Sequence, residues 1–299
     1  MSTEAPLKLG IPKGSLERST IELFAKAGWR IQTSGRSYFP SIDDPGIRCS
    51  LMRPQEMSRY IEAGALDGGV TGQDWIVEND SKLHVLSDLV YSKVSLRGTR
   101  WVLVVRGDSP VQKPEDLRGK RIATELVNVT RRFFAERNIP VDVEFSWGAT
   151  EAKVAEGLVD AIVDVTETGS TLIANKLRIV SELIPSNPQL VANLDAWNDP
   201  RRREKLEQIG LLLRGALEAQ TQVGIKLNVR KDHLGAVIGL LPSLTAPTVS
   251  NLYPTEHLHG EEWFSVESVI AEATVRDLIP KLMRAGALGI IEYPLNKVI

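Results

Sequence analysis

Short apolar segments alternate with amphipathic segments through the first two thirds of the chain. Strands are predicted over the apolar residues 7–11, 47–52 and 66–71. After each of them comes a segment whose apolar residues recur at helical spacing. Gly28 stands where the first predicted helix would end. This alternation of strands and helices is typical of an α/β architecture with mostly parallel sheets.

A second cycle of the same pattern begins after Leu89. It predicts strands over residues 95–105, 121–124, 141–145 and 161–165, with helices between the last three. The segment at 161–165, Ala-Ile-Val-Asp-Val, is almost wholly apolar, as expected for a strand buried on both faces. The two cycles together predict two lobes with a cleft between them.

The pattern changes near residue 199. A long helix opens at Asp199 and Pro200, and after it the predicted elements follow in the order β-α-β-β-α-β. That order is typical of a ferredoxin-like fold, a small α+β module. Apolar residues at helical spacing over 275–283 predict the last helix, so Pro280 is expected either in its first turn or at a kink.

The composition narrows the class of protein. A length of 299 residues suggests about two or three domains, and a formal net charge of -2 disfavours binding to nucleic acid through a general positive field. The single cysteine cannot form an intrachain disulfide, and the four histidines are not at metal-ligand spacings, so no metal site is predicted. The chain shows neither a secretory signal pattern nor an apolar run of the roughly 20 residues that a membrane helix needs. We therefore expect a cytoplasmic protein without membrane contacts.

The loop at residues 166–171 is the most informative candidate for chemistry. It follows a buried strand, opens a helix and combines Thr, Gly and Ser residues, whose backbone N–H groups and hydroxyls are suited to binding a phosphate monoester. Gly169 would allow a close approach of the backbone, and Asp164 at the strand end would accept hydrogen bonds from sugar hydroxyls. The alternative is an ordinary capped turn with Thr168 or Ser170 as the N-cap residue. The loop alone does not favour one interpretation over the other.

Two further turns follow predicted strands, at the edge where α/β sheets place their ligands. Lys13 comes after the first predicted strand, at the start of a helix. Two interpretations are open: Lys13 faces a polyphosphate, or it is an ordinary surface lysine. The segment at 67–74 contains three glycines, which either admit a nucleotide or make a tight turn. With the loop at 166–171, three candidate segments converge on one edge.

At this point the sequence resembles a known family. Residues 156–172 resemble the signature of the ATP phosphoribosyltransferases, the first enzymes of histidine biosynthesis. Residues 285–287 and 246–250 resemble the regulatory domain found in the long form of the family. The remaining blocks that resemble the family, in the right order, are residues 12–14, 67–74 and 120–124. The resemblance therefore covers essentially the whole chain.

The resemblance implies a fold, a reaction and a set of partners. It implies a two-lobed catalytic part similar to a periplasmic binding protein, with residues 1–95 and 190–220 in lobe I and 96–189 in lobe II, and an ACT-like regulatory domain at 221–299. Such an enzyme would transfer the phosphoribosyl group of phosphoribosyl pyrophosphate to N1 of ATP, with Mg²⁺ accompanying the pyrophosphate. Histidine would be the feedback inhibitor, and the chain would form a homo-oligomer, from dimer to hexamer.

The resemblance also implies roles for particular residues. The candidate catalytic residues are Lys13, Arg53 and Asp164. The ribose phosphate would be held by Thr168, Gly169, Ser170 and Thr171, and the ribose hydroxyls would be contacted by Asp164 and Glu151. The pyrophosphate and ATP would be bordered by Lys13, Arg53, Thr71 and Asp74. The residues expected to line the histidine site are Asn228, Leu244, Ala246, Thr248 and Gly289. For Leu244 and Ala246, the alternative is a place in the core of the ferredoxin-like fold.

A different class of function is the alternative to the transferase. A two-lobed small-molecule binding or sensor protein with a regulatory ACT-like domain would show the same pattern of lobes. No Ser-His-Asp set, cysteine nucleophile or general base stands out, which suits the transferase because N1 of adenine is already a nucleophile. The loop at 166–171 favours a sugar-phosphate substrate, so the enzyme is the leading prediction.

Overall fold

The structure, a computed structural model, describes residues 5–35, 37–91, 98–244, 246–253 and 261–299. The chain forms two compact units, residues 1–211 and 212–299. The predicted lobe boundary between residues 95 and 96 lies outside the described residues. Within the described ranges, no helix is both long and apolar enough to cross a membrane.

The first unit alternates strands and helices, as the sequence pattern predicts. Its elements in chain order are β1 (Leu7–Pro12), α1 (Glu17–Ala27), β2 (Ile31–Gln32), β3 (Ser41–Ile42), β4 (Ile47–Met52), α2 (Pro54–Glu62), β5 (Gly68–Gly72), α3 (Gln73–Glu78), β6 (His84–Asp88), β7 (Arg100–Arg106), β8 (Arg121–Thr124), α4 (Val127–Ala135), β9 (Asp142–Phe145), α5 (Thr150–Ala155), β10 (Ala161–Thr166), α6 (Ser170–Ala174), β11 (Leu177–Pro185), β12 (Pro188–Ala192) and α7 (Leu194–Asn198). Helix α8 (Pro200–Glu218) crosses the boundary between the units.

Two five-stranded sheets organise the first unit. In the first sheet, with the order β4-β1-β5-β12-β6, β1 pairs in parallel with β4 and β5, and β12 runs antiparallel to β5 and β6. In the second sheet, with the order β11-β7-β10-β8-β9, β8 pairs in parallel with β9 and β10, and β7 runs antiparallel to β10 and β11. In each sheet, four strands run in the same direction and one runs in the opposite direction. This arrangement confirms the predicted α/β class with mostly parallel sheets.

Three strands of these sheets did not stand out in the sequence pattern: β6, β11 and β12. Strand β11 has register shifts between Ile179 and Ser181 and again between Glu182 and Ile184. Such irregularities interrupt the period of two on which recognition of a strand depends. Strand β12 follows the second sheet in the chain but pairs in the first, so the chain returns to the first sheet there.

The second sheet is buried on both faces. Along β7, Trp101, Leu103 and Val105 pack in one hydrophobic cluster, whereas Val102 and Val104 pack in another. The two sets separate because successive side chains of a strand point to opposite faces. Each fully buried aliphatic side chain contributes roughly 1.5–3 kcal/mol to the free energy of folding. This burial explains the nearly continuous apolar runs in the sequence.

The second unit has the ferredoxin-like order. After a short 3-10 turn at Ala219–Thr221, its elements are β13 (Gln222–Arg230), α9 (Lys231–Leu240), β14 (Thr248–Asn251), β15 (Trp263–Ala271), α10 (Glu272–Arg284) and β16 (Leu288–Pro294). The sheet is antiparallel with the order β14-β15-β13-β16. The inward side chains of β13, among them Ile225 and Leu227, pack in one core with Val237 and Leu282 of the two helices.

Pro280 lies in the interior of its helix, so the first turn, one of the two positions expected for it, is wrong. Helix α10 begins at Glu272, before the first apolar position used to predict it, so Pro280 falls in the interior and not in the first turn. A proline at that position has no N–H to donate to the carbonyl oxygen of Arg276. The helix continues to Arg284 because Leu278 and Leu282 remain buried on either side of the proline.

Candidate active site

A cavity of about 320 Å³ brings residues of the two sheets of the first unit together, and we call it the catalytic cavity. The three candidate catalytic residues, Lys13, Arg53 and Asp164, all line it. Asp74 lines it as well. For Lys13, Asp74 and Asp164 the sequence predicted this convergence, because each stands at or near the carboxyl end of a predicted strand. For Arg53 the expectation came from the family resemblance alone.

The pairing of two parallel strands places Lys13 beside Arg53. Pro12 of β1 is in register with Met52 of β4, so the next residue of each strand leaves the sheet at the same edge. The Lys13 backbone N–H donates to the Met52 carbonyl oxygen at 2.7 Å. The Lys13 ammonium group lies 3.9 Å from the ring centroid of Tyr38, a cation–π contact that holds the side chain.

The Asp164 carboxyl group, which lines the cavity, has a raised pKa. Burial and the neighbouring charges of Glu151 and Glu125 raise the pKa of Asp164 to about 7, against one opposing hydrogen bond from the Val165 backbone N–H. That hydrogen bond is 2.7 Å long and ends on Oδ1. Such perturbed acids are concentrated in functional sites. Sequence reasoning did not single out Glu125, which approaches Asp164 only through the pairing of β8 with β10.

In the loop before α6, threonine hydroxyls accept hydrogen bonds from backbone N–H groups, among them that of Ser170, which donates to the Thr168 hydroxyl at 3.3 Å. Gly169 is the N-cap residue, with a φ of 79°, in the left-handed region that favours glycine. Its N–H donates to the Thr166 hydroxyl at 2.9 Å, so neither Thr168 nor Ser170 stands at the N-cap position itself. Thr168, Ser170 and Thr171 are exposed. These four residues, Thr168 to Thr171, and Glu151 are not among the residues that line the catalytic cavity.

Thr71 and Asp74 are both buried. Thr71 is 1% exposed, and its hydroxyl donates to the Pro54 carbonyl oxygen at 3.1 Å, so the side chain lies behind the cavity wall. Asp74 is 2% exposed, and its Oδ2 atom accepts hydrogen bonds from Trp101 Nε1 and the Ser186 hydroxyl. Burial raises the pKa of Asp74, although both hydrogen bonds oppose the rise.

Asp74 belongs to the first sheet's side of the cavity, and Trp101 to β7 of the second sheet. In the sequence, Trp101 is one residue of the strand predicted over 95–105, without a signal of its own. Its indole donor is satisfied by a residue 27 positions earlier in the chain, and no local pattern signals such a pair. Trp101 and Ser186 are therefore site residues that only the tertiary structure identifies.

The residues expected to bind histidine fall into two groups. Asn228 of β13 and Gly289 of β16 are close, since a Cβ atom on Gly289 would lie 3.6 Å from Asn228 Nδ2. Leu244, Ala246 and Thr248 lie in the segment that enters the edge strand β14, and all three are exposed. The alternative that placed Leu244 and Ala246 in the core is therefore wrong, because the core is filled from β13, β15 and the helices.

The described ranges contain no group of three or more His, Cys, Asp or Glu side chains that could hold a metal ion. Cys49 is buried in β4, and burial raises the pKa of its thiol to about 12. A thiol with that pKa is not ionised near neutral pH, so Cys49 acts as a core residue.

Comparison with known proteins decides the family. A family model described as ATP phosphoribosyltransferase matches residues 53–215, and a model described as HisG, C-terminal domain, matches residues 219–297. The chain belongs to the ATP phosphoribosyltransferase family. The family resemblance of residues 156–172 is therefore confirmed, and so is the resemblance of the last part to the domain of the long form.

Relatives support the same assignment over the whole length of the chain. The ATP phosphoribosyltransferase of Solidesulfovibrio magneticus is 59% identical over 100% of both chains. That of Desulfosudis oleivorans is 60% identical over 98% of this chain and 99% of its own. A chain of the solved ATP phosphoribosyl transferase (HisG:HisZ) complex from Thermotoga maritima is 30% identical, with a TM-score of 0.60 over 70% of this chain and 98% of that one. The ATP phosphoribosyltransferase fold therefore accounts for both sheets.

Proposed function

We propose that the catalytic cavity is where this chain, an ATP phosphoribosyltransferase, joins ATP to phosphoribosyl pyrophosphate. One observation carries the proposal: the cavity has two cations, Lys13 and Arg53, on the wall from the first sheet and the carboxyl group of Asp164 on the wall from the second. The Asp74 carboxyl group, also on the first wall, is engaged by Trp101 and Ser186. A substrate with a negative pyrophosphate and a ribose that becomes positive during reaction matches that division of charge.

The reaction forms one bond and breaks one. The N1–C1′ bond forms from the lone pair of the adenine ring, and the bond between C1′ and the pyrophosphate oxygen breaks, leaving its electron pair on pyrophosphate. Lys13 and Arg53 stabilise the charge that develops on the leaving group. Asp164, with Glu151 close to it, accepts hydrogen bonds from the ribose hydroxyls and favours the positive charge of the oxocarbenium-like transition state.

The loop at 166–171 is proposed to hold the ribose 5-phosphate. The Thr168, Ser170 and Thr171 hydroxyls are exposed, and the left-handed Gly169 turns the chain into the first turn of α6. Donors of this kind suit a phosphate monoester. Thr71 and Asp74 are proposed to border the pyrophosphate and ATP. Since both side chains are buried, they would do so from beneath the surface of the cavity.

Mg²⁺ is proposed to enter as part of the substrate, on the oxygens of the pyrophosphate group. The described side chains do not by themselves form a metal site, so the ion would be held mainly by the pyrophosphate, and its charge would offset those of Glu151 and Glu125 near Asp164. When bound, the ion supplies positive charge that weakens the bond to the leaving group.

The remaining expectations extend the proposal to the whole chain. We propose that residues 1–95 and 190–220 act as lobe I and residues 96–189 as lobe II, and that 221–299 bind histidine as a feedback inhibitor. The histidine site is proposed at Asn228, Leu244, Ala246, Thr248 and Gly289. A cytoplasmic location and a homo-oligomer, from dimer to hexamer, complete the proposal.

The test is a direct assay of the product. Purified protein is mixed with ATP, phosphoribosyl pyrophosphate, Mg²⁺ and inorganic pyrophosphatase, and the absorbance of phosphoribosyl-ATP is followed with and without histidine. We expect a rise that needs both substrates and that histidine suppresses. A rise that ignores histidine would contradict the regulatory part only, and no rise would contradict the catalytic part.

A further inference from the structure

A hydrogen bond from Arg100 ties the loop at 166–171 to strand β7. The Nη1 atom of Arg100 donates to the Glu167 carbonyl oxygen, inside the loop, at 3.2 Å. The pairing of β7 with β10 brings the two residues together, because Arg100 is in register with Thr166, the last residue of β10. The contact therefore links the position of the loop to the sheet.

Arg100 lies on the face of β7 that helix α6 covers. Val102 packs in one cluster with Leu172 of α6, and Arg100 shares the face of Val102 because alternate residues of a strand point the same way. Thr99 and Trp101, its neighbours in the chain, line the catalytic cavity, whereas Arg100 does not. Arg100 therefore supports the loop from behind the cavity wall.

Glu182 of β11 orients the guanidinium group of Arg100. Its Oε2 atom lies 3.0 Å from Arg100 Nε, and both side chains are partly exposed. Glu182 pairs with Val102, which places it on the same face as Arg100, and the register of β11 shifts directly after Glu182. Because the guanidinium group is a rigid plane, a carboxylate on Nε also fixes the direction of Nη1 toward the loop.

The loop uses its own hydroxyl groups to satisfy two of its N–H groups. The Gly169 N–H donates to the Thr166 hydroxyl at 2.9 Å, and the Ser170 N–H donates to the Thr168 hydroxyl at 3.3 Å. A phosphate that accepts these two N–H groups has to replace both hydrogen bonds. The bond from Arg100 survives this exchange, because the Glu167 carbonyl oxygen is an acceptor and does not compete with a phosphate for donors.

We infer that Arg100 is a positioning residue, which holds the Glu167 carbonyl while the Gly169 and Ser170 N–H groups turn to the ribose 5-phosphate. This inference rests on the proposed function, which assigns that phosphate to the loop. The loop has no Lys or Arg of its own, so the guanidinium group also supplies positive charge beside a dianionic ligand. Arg100 thus favours the phosphorylated end of the substrate.

The test compares two replacements of Arg100 with a matched arginine of the same sheet. Arg100→Ala removes the hydrogen bond and the charge, and Arg100→Lys keeps the charge without the planar fork. Arg178→Ala is the control, since Arg178 Nη2 donates to the Val111 carbonyl oxygen at 2.6 Å and the residue does not line the catalytic cavity. After circular dichroism has shown that each variant is folded, calorimetric titration measures Kd for ribose 5-phosphate and for pyrophosphate with Mg²⁺.

The expected result is a loss confined to the phosphorylated sugar. A hydrogen bond to a charged group is worth about tenfold in affinity, so Arg100→Ala raises Kd for ribose 5-phosphate about tenfold and leaves Kd for pyrophosphate within about twofold. Arg100→Lys raises the first constant about threefold, and this variant carries the test if Arg100→Ala does not fold. Arg178→Ala changes neither constant.

Three results would overturn the inference. These are an unchanged Kd for ribose 5-phosphate in a folded Arg100 variant, an equal rise in both constants, or a rise in Arg178→Ala as large as that in Arg100→Ala. Failure of the unsubstituted protein to bind ribose 5-phosphate is a different outcome, since it would contradict the proposed function itself.

Discussion

The Asp74 carboxylate accepts a hydrogen bond from the indole Nε1 of Trp101 at 2.6 Å, which joins the two sheets of the first unit at the catalytic cavity. The same Oδ2 atom accepts the Ser186 hydroxyl at 2.7 Å, whereas Oδ1 has no hydrogen-bond partner within the part of the chain that the structure describes. Asp74 therefore fixes the relative position of residues that approach the substrate from both sheets.

Removing the Asp74 carboxylate should lower the free energy of unfolding. Asp74→Ala leaves the buried Trp101 N–H without an acceptor, so we expect a loss of about 1–3 kcal/mol in urea titrations. Asp74→Asn keeps an acceptor oxygen and should lose less than half as much. A double-mutant cycle with Trp101→Phe should show that the two effects are not additive, and full additivity would contradict the coupling.

Gly72 should prove essential for the orientation of Asp74. A Cβ atom at Gly72 would lie 2.0 Å from Asp74 Oδ1, which is closer than any real contact. We expect Gly72→Ala to displace the carboxylate and to reproduce most of the destabilisation of Asp74→Ala. Gly35→Ala is the control, because a Cβ atom there meets nothing within 4 Å. Equal stability of the Gly72 and Gly35 variants would show that Asp74 has room to move.

The raised pKa of Asp164 makes both stability and activity depend on pH. Because the pKa is about 7 in the folded protein and the ordinary value is 3.8, the folded state favours the protonated acid, and this stabilisation is lost as the pH rises through 7. Asp164→Asn should therefore stabilise the protein at pH 8, on the order of 2 kcal/mol, and have little effect near pH 4. Thermal unfolding at both pH values measures this difference. An equal gain at both would argue against the shifted pKa.

The same titration predicts an acid limb in the activity of the enzyme. Below about pH 7, protonated Asp164 supplies less negative charge to the ribose. We expect kcat/KM for phosphoribosyl pyrophosphate to fall as the pH drops through this range. Asp164→Asn should lower kcat/KM at pH 8 by roughly 10²-fold and flatten the profile. A limb that persists unchanged in the variant would assign the titration to another group.

The left-handed turn at Gly169 should be required for binding of phosphoribosyl pyrophosphate. A β-branched residue is strained at a φ of 79°, by roughly 1–2 kcal/mol. Gly119→Val is a matched control, since Gly119 has a φ of 72° and open space around it. We expect both variants to lose similar stability and only Gly169→Val to lose ligand-induced thermal stabilisation by phosphoribosyl pyrophosphate with Mg²⁺. Normal stabilisation of folded Gly169→Val would remove the loop from the site.

Glu78 should stabilise the first turn of α4 from outside that helix. Its Oε1 and Oε2 atoms accept the Asn128 and Val129 backbone N–H groups, each at 2.9 Å, while the N-cap residue Leu126 has no side-chain acceptor. Glu78→Ala should therefore lower the free energy of unfolding by about 1–2 kcal/mol. Glu78→Gln, with one acceptor oxygen, should lose about half as much in the same urea titration. A larger loss in Glu78→Gln than in Glu78→Ala would exclude the capping role.

Much of the architecture follows from the sequence because its determinants are local. The apolar run at 161–165 has the composition of a strand buried on both faces, and β10 is such a strand. The place of Lys13 and Asp164 also follows, because a residue at the end of a strand in an α/β sheet emerges at a known edge. The place of Arg53 was expected only from the family resemblance. The first turn, one of the two positions expected for Pro280, is wrong because α10 begins at Glu272, and Leu278 and Leu282 are buried on either side of the proline.

The alternation of elements, the ferredoxin-like order of the last part and the loop before α6 are predictable from the sequence, since each depends on residues that are near neighbours in the chain. The contacts of Asp74 with Trp101 and Ser186, which are 27 and 112 positions away, and the approach of Glu125 to Asp164 follow only from the folded chain. These contacts depend on which strands pair and in what register. The free energy of that choice is spread over the whole core, so no short segment of sequence contains it.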